Sequence, residues 1–183
     1  MTLQTPETKK VDARYRLHRR FDRMGRLIGD DGMQTLFDSH VMVIGVGGVG
    51  SFAAEALARS GVGRITLVDF DLICVTNANR QLHTVKGTVG KVKSEVMAER
   101  LKLINPQMEV VATRDFYNPT ASEKLMAYKP DWIVDAIDNI TAKCHLLATC
   151  RDAGIPVVSS TGAAARMDPT RIKVSDLNQT TVD

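Results

Sequence analysis

Four short segments of this chain carry residue types that could do chemistry together. Ile44-Gly-Val-Gly-Gly-Val-Gly50 fits the pattern GxGxxG, in which Gly45 permits a tight turn, Gly47 lets backbone approach a phosphate, and Gly50 lets a helix pack on a strand. Asp69 stands nineteen residues after Gly50, the place of an acid that accepts hydrogen bonds from ribose hydroxyls. The remaining segments are Thr76-Asn77-Ala-Asn79-Arg80-Gln81, Val89-Gly-Lys-Val-Lys93 and Asp135-Ala-Ile-Asp138-Asn139. On the glycine motif alone, an NAD-dependent oxidoreductase is the leading reading. The two cations argue otherwise. Hydride transfer has no use for Arg80 and Lys93 beside a nucleotide, whereas nucleotidyl transfer builds charge on the α-phosphate and the departing pyrophosphate that Arg, Lys and a metal ion can stabilise. Asp138 is a suitable ligand for Mg²⁺, a hard cation held by one or two carboxylates plus phosphate oxygens. Asn77 and Gln81 can hold a nucleotide through neutral hydrogen bonds. Taken singly, each residue has an ordinary alternative, a surface charge or, for Asp138, a helix N-cap; their joint order favours the chemical reading.

The elements that must position these residues follow from the periodicity. From residue 41 onward short apolar runs alternate with amphipathic stretches, which predicts an α/β fold. Strands are expected at Val41–Val46, Arg64–Val68, Glu109–Thr113, Trp132–Asp135, Pro156–Ser159 and Ile172–Asp176, with helices at Val49–Ser60, Lys91–Ile104, Ala121–Tyr128 and Thr141–Ala153. Gly61, Gly63, Asn105-Pro106 and Gly154 punctuate the helix ends. The result is a Rossmann-like, doubly wound, mostly parallel sheet with helices on both faces. Its candidate residues all fall at or just after the carboxyl ends of strands, the edge at which open α/β sheets bind ligands. Phe70 to Gly90 forms a loop of about twenty residues, longer than compact domains ordinarily carry without a functional reason. His83 lies in this loop, within reach as a base, but a lone loop histidine is ordinarily polar surface and is not assigned to the site. Thr161-Gly162, after the fifth strand, face the same crevice.

Composition sets the outer bounds. The chain has 183 residues, 44% hydrophobic and 25% charged, enough for one self-supporting core. Cys74, Cys144 and Cys150 form no CxxC pair, which argues against a disulfide framework or a zinc knot and suits a reducing compartment. With no apolar run at Met1 to Lys10 and no uncharged stretch longer than Val41 to Ala54, a soluble, cytoplasmic protein without a transmembrane segment is expected. The net charge of +3 is unevenly spread: residues 1–30 hold eight Lys or Arg against four acids, leaving the rest at −1. This divides the chain into a basic arm and helix (1–30) and a nucleotide-binding domain (31–183). The arm could touch an anionic partner such as nucleic acid, or be a solvated helix face. The final residues, Asp176 to Asp183, end without a closing helix, so the domain is expected to be cut short at its C-terminus.

The order Gly45-x-Gly47-Gly48-x-Gly50, Asp69-x-Asp71, Asn77-x-Asn79-Arg80-Gln81, Lys93 and Asp138-Asn139 resembles the ubiquitin-activating-enzyme-like (ThiF-type) superfamily over about residues 20 to 177. Bacterial members of that superfamily adenylate carboxylates with ATP. The resemblance implies that the four glycines cradle phosphate, that Asp69 holds ribose, that Asn77, Arg80 and Lys93 bind the triphosphate, and that Asp138 binds Mg²⁺. Asp71, Asn79, Gln81 and Asn139 belong to the same motifs and are counted with the ATP-binding set. It also implies a homodimer in which an N-terminal arginine, Arg26 or Arg23, reaches the partner's ATP.

Four segments resemble the branch that dehydrates threonylcarbamoyladenosine in tRNA: Arg20-Phe21 leading into Arg26-Leu27-x-Gly29, Val49 to Ala58, Cys74-Val-Thr-Asn77, and Asp168 to Leu177. The function this implies is activation of the threonylcarbamoyl carboxylate with ATP, then ring closure with net loss of water. The partners implied are tRNA and a sulfur-transfer protein. The alternative is an adenylyltransferase that activates the C-terminal carboxylate of a small ubiquitin-like sulfur carrier.

Overall fold

The computed structural model describes residues 19–180 apart from residue 164, and for residue 19 only the backbone. Five strands are formed: β1 (His40–Ile44), β2 (Arg64–Val68), β3 (Glu109–Thr113), β4 (Trp132–Asp135) and β5 (Val157–Ser159). All pair in parallel, in the order β3-β2-β1-β4-β5. Five α-helices connect them: α1 (Asp22–Asp38), α2 (Gly48–Ser60), α3 (Lys93–Ile104), α4 (Pro119–Met126) and α5 (Ile140–Ala153).

The expected doubly wound architecture is present, and β1 shows why. All five of its residues are buried, as a central parallel strand covered on both faces requires. Side chains alternate across a strand, so Val41 and Val43 join Ile65 and Leu67 under Ala54 and Ala58 of α2 and Met97, Ala98 and Leu101 of α3. Met42 and Ile44 face the other way, with Ile133, onto Leu125 of α4 and Ala142, Leu146 and Cys150 of α5. The chain reverses direction across the sheet between β3 and β4, which places the switch point, and so the ligand crevice, between the carboxyl ends of β1 and β4.

Two expectations are corrected. The sixth strand, Ile172–Asp176, does not form. That segment runs between 3₁₀ turns at Pro169–Arg171 and Leu177–Gln179 with Val174 fully exposed. A strand needs a neighbour for its N–H and C=O groups, and among the described residues β5 pairs with β4 alone. The loop after β2 is not structureless. Its base is clamped where the N–H of Ile73 donates to the Lys91 carbonyl, that of Gly90 to Ile73, and that of Lys93 to Asp71. Leu72 and Val92 form an antiparallel bridge there, which closes the segment at its base.

α1 breaks at Gly29, whose φ of 73° lies in the left-handed region. Its start is anchored by Phe21 and Met33, which pack together, and by Arg20, whose guanidinium donates to the Ile104 carbonyl. Its end meets β2 at Gly63, where a Cβ would lie 1.7 Å from the Phe37 carbonyl oxygen. Gly63→Ala should therefore cost about 3 kcal/mol of unfolding free energy. Gly162→Ala, whose Cβ would meet nothing within 4 Å, should leave the urea midpoint unchanged. Equal midpoints for the two variants would refute this close approach.

Candidate functional site

The site is built on the turn that leaves β1. Gly45 has φ 87° and a Cβ there would sit 2.6 Å from the Ala136 carbonyl oxygen, while one on Gly50 would sit 1.8 Å from that of Gly45. These two glycines are required by the fold itself. Gly47 and Gly48 are not: a Cβ on Gly47 would come only within 3.7 Å of Gln81 Nε2, and one on Gly48 within 3.4 Å of Arg80 Cγ. Their backbone is left bare of side chain. It lies at the N-terminus of α2, where unpaired N–H groups and the helix dipole favour an anion.

Asp69 holds this turn from the neighbouring strand. Its Oδ2 accepts the N–H of Val46 at 2.7 Å, and its Oδ1 accepts that of Asp71 at 2.9 Å. Burial pushes the carboxyl above its usual range, against the pull of those two N–H donors and of Lys93. Asp71 in turn pairs with Lys93 at 2.7 Å. The Lys93 side chain is 7% exposed and that of Asp71 45%, so the ammonium is buried beside a partner that water can reach.

The clamped loop after β2 delivers the next group. Asn77 is buried and its Oδ1 accepts the N–H of Cys74 at 3.0 Å, which leaves its NH₂ as the group able to serve a ligand. Its main-chain carbonyl accepts the N–H groups of Arg80 and Gln81. Arg80 lays its aliphatic stem over Gly48, and its guanidinium donates to Asn79 Oδ1 at 2.9 Å and to the Thr76 carbonyl at 3.3 Å. Gln81 is buried with its Nε2 toward Gly47.

The end of β4 differs in part from expectation. Asn139, rather than Asp138, is the N-cap of α5, its Oδ1 accepting the N–H of Ala142. Asp138 is exposed on the crevice edge, free of capping duty. Among the described residues no cluster of three metal-binding side chains exists, so a divalent cation here would depend on Asp138 plus ligand oxygens, the habit of Mg²⁺. Thr161 and Gly162 are exposed beyond β5.

Arg23 and Arg26 are not brought to this crevice. Both are exposed at the start of α1, which docks beside Gly61 and Ile104 at the amino edge of the sheet. Arg26 there pairs with Asp22 at 3.1 Å.

Sequence reasoning missed two features. His83 is 2% exposed, not polar surface. Its Nε2 lies 3.1 Å from Gln81 Oε1, and its Nδ1 is buried without a hydrogen-bond partner among the described residues. Burial, reinforced by the Lys93 charge, lowers its pKa to about 4. The signal was its place two residues after Gln81 in a loop that also buries the polar Asn77, Gln81 and Thr84. The second feature is a buried network. Asp135, with 0% exposure, accepts from Lys143 Nζ at 2.6 Å, Ser159 Oγ at 2.7 Å and the Ile137 N–H at 3.1 Å, and Lys143 also reaches Ser159 at 3.2 Å. An acid closing an apolar strand, and a lysine on the inner face of α5, were its traces in the sequence.

Comparison with known proteins gives this arrangement a context. The pattern of the ThiF family matches residues 21–181. The tRNA threonylcarbamoyladenosine dehydratase of Escherichia coli is 47% identical over 164 residues, 90% of this chain and 61% of that protein. The dehydratase of Bacillus subtilis is 50% identical over 163 residues, 89% and 64% respectively. The chain thus spans less than two thirds of the length of these relatives. A crystal structure of the E. coli dehydratase in complex with ATP superposes with a TM-score of 0.88 at 45% identity, covering 94% of this chain and 70% of that one.

Two measurements check the buried groups. His83 has a folded pKa below its unfolded value of about 6.5, so the unfolded state takes up the proton first. Stability from this group is complete above pH 6.5 and is lost as pH falls toward 4. Between pH 7 and pH 5 the wild type should lose roughly 2 kcal/mol more than His83→Gln in urea unfolding; parallel losses would contradict the assignment. Lys143→Met should cost about 3–5 kcal/mol by leaving the Asp135 carboxylate buried and unpaired, whereas adding Asp135→Leu should recover most of it.

Proposed function

Because the chain belongs to the ThiF family and gathers a bare glycine turn, a buried acid, Lys93 and Arg80 at one sheet edge, we propose that it activates a carboxylate with ATP. The carboxylate is that of the threonylcarbamoyl group on an adenosine of tRNA. Its oxygen attacks the α-phosphate and pyrophosphate leaves. The substrate's own carbamoyl group then attacks the activated carbonyl, a ring closes, and AMP departs, with net loss of water. No protein thiol is needed, which fits Cys150, buried with its pKa pushed up to about 11.

The single observation that carries the reading is the pair of cations at one sheet edge, Arg80 over Gly48 and Lys93 on Asp71. Gly47, Gly48 and the first N–H groups of α2 suit phosphate oxygens. Lys93, buried and held by Asp71, and Arg80, laid over Gly48, supply positive charge where an α-phosphate in transfer and its leaving group build negative charge. A nicotinamide would leave both idle. Asp69 is placed for ribose, Asn77 and Gln81 for neutral contacts, and Asp71 and Asn79 for holding Lys93 and Arg80. Asp138, with Asn139 behind it, would hold Mg²⁺, which would neutralise phosphate charge when bound. The dehydratase assignment over a sulfur-carrier adenylyltransferase draws on the identity to the E. coli and B. subtilis enzymes.

Residues 1–30 would act as a basic arm and residues 31–183 as the adenylating domain, although α1 itself runs across that boundary. Since Arg23 and Arg26 lie at the far edge of their own sheet, their use in catalysis requires a homodimer in which Arg26, or Arg23, enters the partner's site. The arm's charge would help attract tRNA, and a sulfur-transfer protein is a further partner in this reading. A cytoplasmic enzyme is expected; no helix among the described residues is long and apolar enough to cross a membrane.

The chain incubated with threonylcarbamoyladenosine-bearing tRNA, ATP and Mg²⁺ should yield the nucleoside lighter by one water in digests read by mass spectrometry. Lys93→Ala and Arg80→Ala should each lower the rate about 100-fold or more. Unchanged tRNA, with pyrophosphate exchange supported instead by a small carrier protein, would replace this reading with the alternative.

A further inference from the structure

Gln81 is the buried amide nearest the bare backbone of Gly47. A primary amide has two unlike ends. Its NH₂ donates to a phosphate oxygen, whereas its carbonyl oxygen repels one. A crevice that receives phosphates gains from Gln81 only if the amide cannot turn over. The structure supplies a reason why it does not. His83 Nε2 stands 3.1 Å from Gln81 Oε1, and the pairing is satisfied when Nε2 carries the hydrogen and the amide oxygen accepts it. The NH₂ then lies on the Gly47 side. The imidazole is fixed in turn: the ring is 2% exposed, and its main-chain carbonyl accepts Thr88 Oγ1 at 2.7 Å.

Among the described residues Nδ1 has no hydrogen-bond partner, so the ring's polar tie runs through Nε2. The ring's hydrogen bond, among the described residues, goes to Gln81, the residue beside the glycine turn. Burial and the Lys93 charge keep the ring neutral, with a single N–H to place, and the Gln81 carbonyl oxygen beside Nε2 favours that nitrogen for it.

We propose that His83 is a positioning residue for nucleotide binding: its Nε2–H locks the Gln81 amide with the NH₂ facing Gly47, ready to donate to a phosphate oxygen. This rests on the reading of the crevice as an ATP site. It assigns to His83 no proton transfer and no contact with substrate.

ATP affinity measured by titration calorimetry on the whole chain, with thermal unfolding of each variant alongside, tests the idea. His83→Asn, which keeps a polar group but cannot place a donor where Nε2 stands, should weaken ATP about tenfold, as should Gln81→Ala. The double variant should bind no more weakly than Gln81→Ala alone, because both changes remove one shared function. His83→Gln, whose amide NH₂ can reach the Nε2 position, should restore affinity to within about threefold. Additive losses, or a folded His83→Asn variant that binds ATP like the wild type, would overturn the proposal while leaving the ATP site intact. Absence of ATP binding by the wild type would instead overturn the reading on which it rests.

Discussion

One buried carboxylate ties the crevice together. Asp69 directly follows β2, and its two oxygens hold N–H groups from different places: Val46, in the turn after β1, and Asp71, at the mouth of the long loop. The first bond keeps the glycine turn in register with the sheet although Gly45 has left the strand conformation with a positive φ. The second sets where the chain departs from β2, and so where Asp71 can meet Lys93. Removing the carboxylate from water is unfavourable, and the elevated pKa of Asp69 records that. The fold tolerates it because both oxygens gain donors the backbone must satisfy in any case.

Around this anchor, β1 is flanked by two lysine–aspartate pairs with different accessibilities. On the β2 side Asp71 is half exposed, so the charge on Lys93 has a partner that an anionic ligand can compete with. On the β4 side Asp135 is wholly enclosed and fully bonded to Lys143, Ser159 and Ile137, a permanent brace beneath the switch point. Breaking a pair of the second kind strands a buried charge, whereas a half-exposed pair can exchange partners at modest cost. The same crevice thus has one fixed wall and one wall whose ion pair is open to solvent.

Much of this was legible in the residues. The five strands and four of the helices follow from apolar periodicity and glycine punctuation, and the roles of Gly45 and Gly50 follow from their spacing. The sixth strand did not follow, because Ile172 and Val174 have strand-like spacing but no neighbour to pair with. Asn139 rather than Asp138 became the cap of α5, a choice between adjacent residues that local pattern does not make. His83 read as surface because a loop's composition does not tell how tightly its ends are clamped.

By itself, then, the sequence determined the five strands that form, most of the helices, the tight glycine turn after β1, and the kinds of side chain gathered at the carboxyl edge, since these depend on neighbours within a few residues. The tertiary structure alone decided the strand order that brings residues 45, 69, 93 and 135 to one crevice, the burial of His83 and Gln81 together, and the removal of Arg23 and Arg26 to the opposite edge. Those outcomes rest on contacts between residues dozens of positions apart, and the energy of a hydrogen bond or ion pair is fixed by the burial such contacts create.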